Sequence, residues 1–214
     1  MDPDRFLEEL PGRFADYPRS TEPLDSRFSE ILDDVEGLAT PNTLALVNHA
    51  ASLLAPGESY VEIGTFRGAS LISALLDNDG VDAVAIDRFS MGGATREQLD
   101  ENLDRFGLQG VPIVLVGDVF ELVRDGVLEG RRVGVWYYDA AHDYESQVEG
   151  LRIAEPYLVP GALLIVDDTD WERVSRAIDD YLAGQPRARR LLMLPGKEHG
   201  SPHWWEGMQV LAWA

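Results

Sequence analysis

A doubly wound, Rossmann-like α/β fold is predicted for this 214-residue chain by two features: apolar runs that alternate with amphipathic stretches, and a glycine-rich turn ending the first run. The runs are YVEI (60–63), AVAID (83–87), PIVLV (112–116), VGVWYYD (133–139) and ALLIVD (162–167). They are too uniformly apolar for one-sided strands, which suits a parallel sheet covered on both faces by helices. Helical periodicity falls between and after them, over 68–77, 95–106, 120–125, 144–155 and 171–182. Strand then helix, repeated, is the order of a doubly wound sheet.

Residues 1–35 mix Pro3, Pro11, Pro18 and Pro23 with acids and scattered aromatics, which predicts a cap or arm of short helices and loops ahead of a main domain over 36–214. Thr40-Pro41 combines an N-cap residue with proline at the first helical position, and Leu44, Val47, Ala51 and Leu54 follow at helical spacing. In the last helix Val174, Ala177, Ile178 and Tyr181 form one apolar stripe, with Thr169 or Asp170 placed to cap it. RLLML (190–194) and MQVLAW (208–213) read as strands with no helix between them, so the sheet is expected to finish in a long antiparallel hairpin.

Composition narrows the function. A chain of this length buries one sizeable core. It has no cysteine, so a bound metal would take oxygen or imidazole ligands, with a hard cation the default. Acids outnumber bases 38 to 18, and the net charge of -20 disfavours nucleic acid and anionic membranes as partners. The acidic start MDPDRFLEEL lacks a secretory signal's basic patch and apolar run, and no run reaches membrane-spanning length; a cytoplasmic protein is the expectation.

The first strand runs into Glu62-Ile63-Gly64-Thr65-Phe66-Arg67-Gly68-Ala69-Ser70. Glycine lets the backbone turn tightly and approach a ligand, and the helix that follows offers free amides to a carboxylate. The E-x-G-x-x-x-G spacing departs from the G-x-G-x-x-G that seats a dinucleotide pyrophosphate. Asp87 lies 23 residues past Gly64, where an acid can accept both hydroxyls of a ribose, and Gly117-Asp118 ends the third strand where an adenine could lie. The alternative is a tight strand-to-helix turn with no ligand.

The strings VEIGTFRGAS, VGD (116–118), YYDAAHDYE, LVPGALLIVDD and the final strand pair resemble the small class I S-adenosylmethionine-dependent methyltransferases. They are most similar to the metal-dependent O-methyltransferases of the catechol and caffeoyl-coenzyme A type and to the bacterial branch acting on natural products and their sugars. The resemblance spans residues 37–214 and implies a seven-stranded sheet with the last strand antiparallel. It implies that Glu62, Gly64, Thr65, Phe66, Gly68 and Ser70 line the methionine half of S-adenosylmethionine. Asp87 and Arg88 would meet the ribose, Asp118 and Val119 the adenine, and Gly37-Leu38 would close over the cofactor.

Strand four ends at Asp139 and strand five at Asp167-Asp168, so three carboxylates reach the edge of the sheet where open α/β folds bind ligands. Left alone they repel; a divalent cation, Mg2+ first, makes the same set favourable. The plainer alternative is that Asp167 and Asp168 cap the next helix and Asp139 holds a loop amide. In the resembled family the third ligand is an asparagine, where this chain has Asp168. His142 stands where those enzymes carry a lysine base, and an imidazole can deprotonate a hydroxyl. Its alternative is a histidine making local hydrogen bonds at a helix start.

Trp171, Trp204 and Trp205, with His199 and His203, are expected near the acceptor entrance or in core and dimer contacts. Three readings stay open: metal-dependent O-methylation of a small-molecule hydroxyl with Asp139 and His142 catalytic, a metal-independent transfer or other chemistry on the same fold, and a non-catalytic S-adenosylmethionine-binding protein. The arm and hairpin leave room for a homodimer.

Overall fold

The computed structural model describes residues 1–196 and 203–214. Helix α1 (Pro3–Glu9), a 3-10 turn (Leu10–Arg13), α2 (Arg27–Asp34) and α3 (Pro41–Ser52) precede the sheet. Then come β1 (Ser59–Ile63), α4 (Ala69–Leu75), β2 (Asp82–Asp87), α5 (Arg96–Arg105), β3 (Ile113–Val116), α6 (Val119–Arg124), β4 (Val133–Tyr138), α7 (Tyr144–Arg152), β5 (Leu158–Asp167), α8 (Glu172–Gly184), β6 (Ala188–Leu194) and β7 (Met208–Trp213).

Seven strands form one sheet in the order β3-β2-β1-β4-β5-β7-β6. Strands β1 to β5 pair in parallel, and β7 inserts antiparallel between β5 and β6. The expected final hairpin is therefore present, and its second strand is the one that docks on β5. Strand β1 lies between β2 and β4, so the chain reverses its direction of winding there and a crevice opens above the carboxyl ends of β1 and β4.

Alternation along the strands explains why they are apolar on both faces. Tyr60, Val135, Tyr137, Leu163 and Ile165 feed a core on one face, while Val61, Trp136, Tyr138, Leu164 and Val166 feed the other. The first core also takes in Phe6, Leu10, Phe14, Phe28, Ile31 and Val35, so the N-terminal helices pack into it with Leu44 and Val47 of α3. The predicted start of α3 holds: Thr40 accepts from the Thr43 amide ahead of Pro41.

Two expectations are corrected. Strand β5 starts at Leu158 and not at 162, because Pro160 and Gly161 sit in an irregularity of the β4–β5 register and do not end the strand. Helix α8 is capped by neither Thr169 nor Asp170; Trp171 holds the N-cap position and makes no side-chain capping bond. The amides of Thr169 and Asp170 instead donate to the carbonyls of Gly207 and Glu206, which tie the end of β5 to the approach of β7. Among the described residues no helix is long and apolar enough to cross a membrane.

Candidate active site

A cavity of about 850 Å³ lies above the crevice, with the turn after β1 as its floor. Gly64 has φ +87, and its amide donates to Ile86 while the Asp139 amide donates to Ile63, so the ends of β1, β2 and β4 are stitched together under it. Gly64, Thr65, Phe66 and Ser70 all line the cavity. Gly68 does not: it stands at the N-cap of α4 with φ +96, and any Cβ there would meet the Leu99 side chain of α5 at 2.4 Å. Its role in the turn is helix packing.

Glu62 also lies outside the cavity wall. Its carboxylate is fully buried beneath the turn, accepting from Tyr60 Oη at 2.6 Å and Ser70 Oγ at 2.9 Å. Burial pushes its carboxyl from 4.5 up to about 7, against the opposing pull of those hydrogen bonds. A carboxyl raised on folding contributes stability below its unfolded value, and that contribution is lost as pH rises through the folded one. Glu62→Gln is therefore expected to raise stability at pH 8 by about 1–3 kcal/mol and to leave it unchanged or lower at pH 5. Thermal unfolding of both proteins at the two pH values checks this; an equal difference at both would rule out ionisation as the cause.

Asp87 closes the turn from the other side. Its Oδ2 accepts from the amides of Thr65 and Phe66, both at 2.7 Å, and its Oδ1 from the amide of Phe89 at 2.5 Å. A carboxylate has about four acceptor positions, so one remains free on Oδ1 for a ligand hydroxyl at the cavity surface. Arg88 lines the same wall and reaches Asp118 Oδ2 at 3.2 Å, while Asp118 Oδ1 caps α6 through the Phe120 and Glu121 amides. Val119 lies beside it, and Gly37 and Leu38 approach from the N-terminal side.

At the carboxyl ends of β4 and β5 the acids separate. The ligand atoms of Asp139, His142 and Asp168 lie within 4.8 Å of one another, and all three residues line the cavity. Asp167 does not join them: its Oδ2 accepts from Tyr137 Oη at 2.6 Å and its Oδ1 from the Asp168 amide. The same tyrosine hydroxyl lies 3.3 Å from Asp139 Oδ2, so Tyr137 bridges the two acids from below. Burial, then the charges of Asp167, Asp168 and Glu62, hold the Asp139 carboxyl well above the usual carboxylate range. Burial and Asp168 push Asp167 up to about 7. Neither acid caps α8, which removes the plainer account of the Asp167-Asp168 pair.

His142 Nε2 lies 2.6 Å from Asp168 Oδ2 without the alignment of a hydrogen bond, and its ring packs 4.9 Å from that of Trp171. Trp171 and Trp205 line the cavity. Trp204 points the other way: it is 2% exposed, packs edge-on against Phe14 and Tyr17, and donates to the Pro18 carbonyl at 3.1 Å. The N-terminal segment thus anchors the loop that presents Trp205. His203 belongs to this anchor, its carbonyl accepting from Thr40 Oγ1, and His199 lies outside the described residues.

Two features escaped the sequence reading. Tyr137 lies within an apolar strand run, yet a residue two before Asp139 shares its face. Phe66, Phe89, Asp168 and Trp205 all have left-handed backbone (φ +50 to +57) and all line the cavity. Such conformations cost about 1–3 kcal/mol each and gather where surrounding structure over-determines a site.

Residues 61–169 match the family model described as a methyltransferase domain. No curated protein matches the chain. Among solved structures, the O-methyltransferase TomG of Streptomyces achromogenes, involved in tomaymycin synthesis and solved with S-adenosylmethionine, is 18% identical with a TM-score of 0.64 over 100% of this chain and 99% of its own. An O-methyltransferase of Bacillus cereus, solved with S-adenosylhomocysteine, is 18% identical with a TM-score of 0.63, over 90% and 92% of the two chains. CalS11, a TDP-rhamnose 3'-O-methyltransferase of calicheamicin biosynthesis, is 19% identical with a TM-score of 0.59, over 99% and 93%.

Proposed function

The chain belongs to the methyltransferase domain family, and from that premise we propose that it moves the methyl group of S-adenosylmethionine to a hydroxyl of a small ring compound, assisted by a divalent cation. The observation that carries this reading is the convergence on one cavity of the Gly64–Ser70 turn, Asp87 and the Asp139–His142–Asp168 group. The structural relatives solved with S-adenosylmethionine or its product support the cofactor, and all three relatives are O-methyltransferases.

The donor set fits a hard cation. Asp139 and Asp168 offer carboxylate oxygens, and a 2+ ion would relieve the repulsion that adds to burial in raising the Asp139 carboxyl. When bound, S-adenosylmethionine supplies an electrophilic methyl and a divalent cation lowers the pKa of a hydroxyl beside it. Asp87 would hold the ribose, the amides of the Gly64 turn the methionine carboxylate, and Asp139 with Asp168 the cation. His142 accepts the acceptor's proton, and Asp168 beside it stabilises the imidazolium. Tyr137 keeps Asp139 and Asp167 in place, and Trp171 and Trp205 form flat walls that exclude water from the reacting pair. The chain's contribution is positioning and charge.

A second role for His142, as third ligand of the cation, is favoured by its close but misaligned approach to Asp168. His142→Ala separates the two: a base is rescued by added imidazole with cation affinity intact, whereas a ligand loses cation affinity.

Calorimetric titration of S-adenosylmethionine into chelator-treated protein, then with Mg2+ and catechol-like or sugar-like acceptors, tests the proposal. Micromolar cofactor binding, with acceptor binding only when Mg2+ is present, is the expected result. Cofactor binding with an acceptor response indifferent to Mg2+ would leave a metal-independent transferase, and no cofactor binding would overturn the reading.

A further inference from the structure

The cofactor half of the cavity is walled by two loops far apart in sequence: residues 35–40 between α2 and α3, and residues 88–95 between β2 and α5. Each carries a large apolar side chain left open to solvent at the cavity rim, Leu38 at 50% and Met91 at 53%. Apolar groups in such positions gain by being covered. Both loops meet one side chain. The Arg67 guanidinium pairs through Nη1 with Glu36 Oε2 and donates through Nη2 to the Gly92 carbonyl at 3.3 Å. It also stacks over the Phe66 ring at 4.9 Å, and that ring lies directly under Gly92. The Arg67 carbonyl is held by Asn102 of α5, so the clasp stands on a fixed post.

Resting on the functional reading above, we propose that Arg67 is a positioning residue that clasps the two loops over S-adenosylmethionine and so sets how fast the spent cofactor leaves. Nothing in the chemistry requires Arg67: its guanidinium does not line the cavity. It acts on cofactor retention by joining Glu36 to Gly92, on loops far apart in sequence that wall the same cavity. A planar guanidinium can do this because it presents donors in two directions, whereas an ammonium is a single point charge.

The test is stopped-flow and calorimetric measurement of S-adenosylhomocysteine binding to the full-length protein and to Arg67→Ala and Arg67→Lys. Arg67→Ala is expected to speed dissociation about tenfold with little change in the association rate, since interface changes act mostly on the off-rate. Arg67→Lys keeps the pairing with Glu36 and is expected to lie between. The melting temperature should fall by no more than a few degrees, because the Glu36 end of the pair is exposed and contributes about 0–1 kcal/mol, and the covered Arg67 stem adds only its contact with the Phe66 ring and one bond to the Gly92 carbonyl. Equal dissociation rates for all three proteins would overturn the clasp while leaving the functional reading intact. A drop in affinity that tracks a large fall in melting temperature would assign Arg67 to folding and also overturn it. Failure of the unaltered protein to bind S-adenosylhomocysteine would overturn both readings.

Discussion

Gly64→Ala is expected to remove cofactor binding and to destabilise the fold by about 3 kcal/mol or more. A Cβ at position 64 would lie 1.7 Å from the Asp139 carbonyl oxygen and 2.6 Å from its carbon. Both are backbone atoms, so no rotamer change relieves the clash. The left-handed φ of +87 adds strain for any residue with a side chain. Relief requires the ends of β1 and β4 to part, and those ends carry the cofactor turn on one side and Asp139 on the other. Urea unfolding with S-adenosylmethionine titration measures both consequences; a variant that retains native stability and cofactor affinity would show that the two strand ends are not in fact this close.

Asp139→Asn is expected to move stability and function in opposite directions. The neutral amide keeps a partner for Tyr137 and ends the repulsion with Asp167 and Asp168, so in chelator the variant should gain about 1–3 kcal/mol. It also removes one of the two carboxylates that would hold the cation. Added Mg2+ should raise the melting temperature of the unaltered protein by mass action and leave that of the variant where it was. Methyl transfer to a hydroxyl acceptor is expected to fall about 100- to 1000-fold. A variant that is less stable in chelator would mean that Asp139 is chiefly a structural hydrogen-bond acceptor. One that is fully active would place the cation elsewhere or dispense with it.

Much of the frame was legible because its signals are local. The Gly64 turn follows a strand and opens a helix, and a tight turn of that kind needs a residue able to adopt positive φ. The contacts of Tyr60 with Glu62 and of Tyr137 with Asp139 follow from the same period-two alternation, but they hide in runs that look uniformly apolar. Sorting Asp167 from Asp168 was beyond such reasoning. Asp167 ends β5 and Asp168 follows it in left-handed backbone, with its carboxylate at the cavity while Asp167 stays under Tyr137. The failed capping of α8 has the same origin: the amides of Thr169 and Asp170 are taken by carbonyls of Glu206 and Gly207, which no local pattern pairs with them.

By itself, then, the sequence determined the elements, their order and the sheet edge at which the acids gather, because strand and helix periods and glycine turns depend on neighbours a few residues away. Tertiary structure alone decided that Trp205 faces the cavity while Trp204 anchors on Phe14 and Tyr17, that His142 meets Asp168, and that Arg67 joins Glu36 to Gly92. Those contacts link segments brought together only when the strands pair, and the side chain that wins each one is set by packing in three dimensions and leaves no period in the chain.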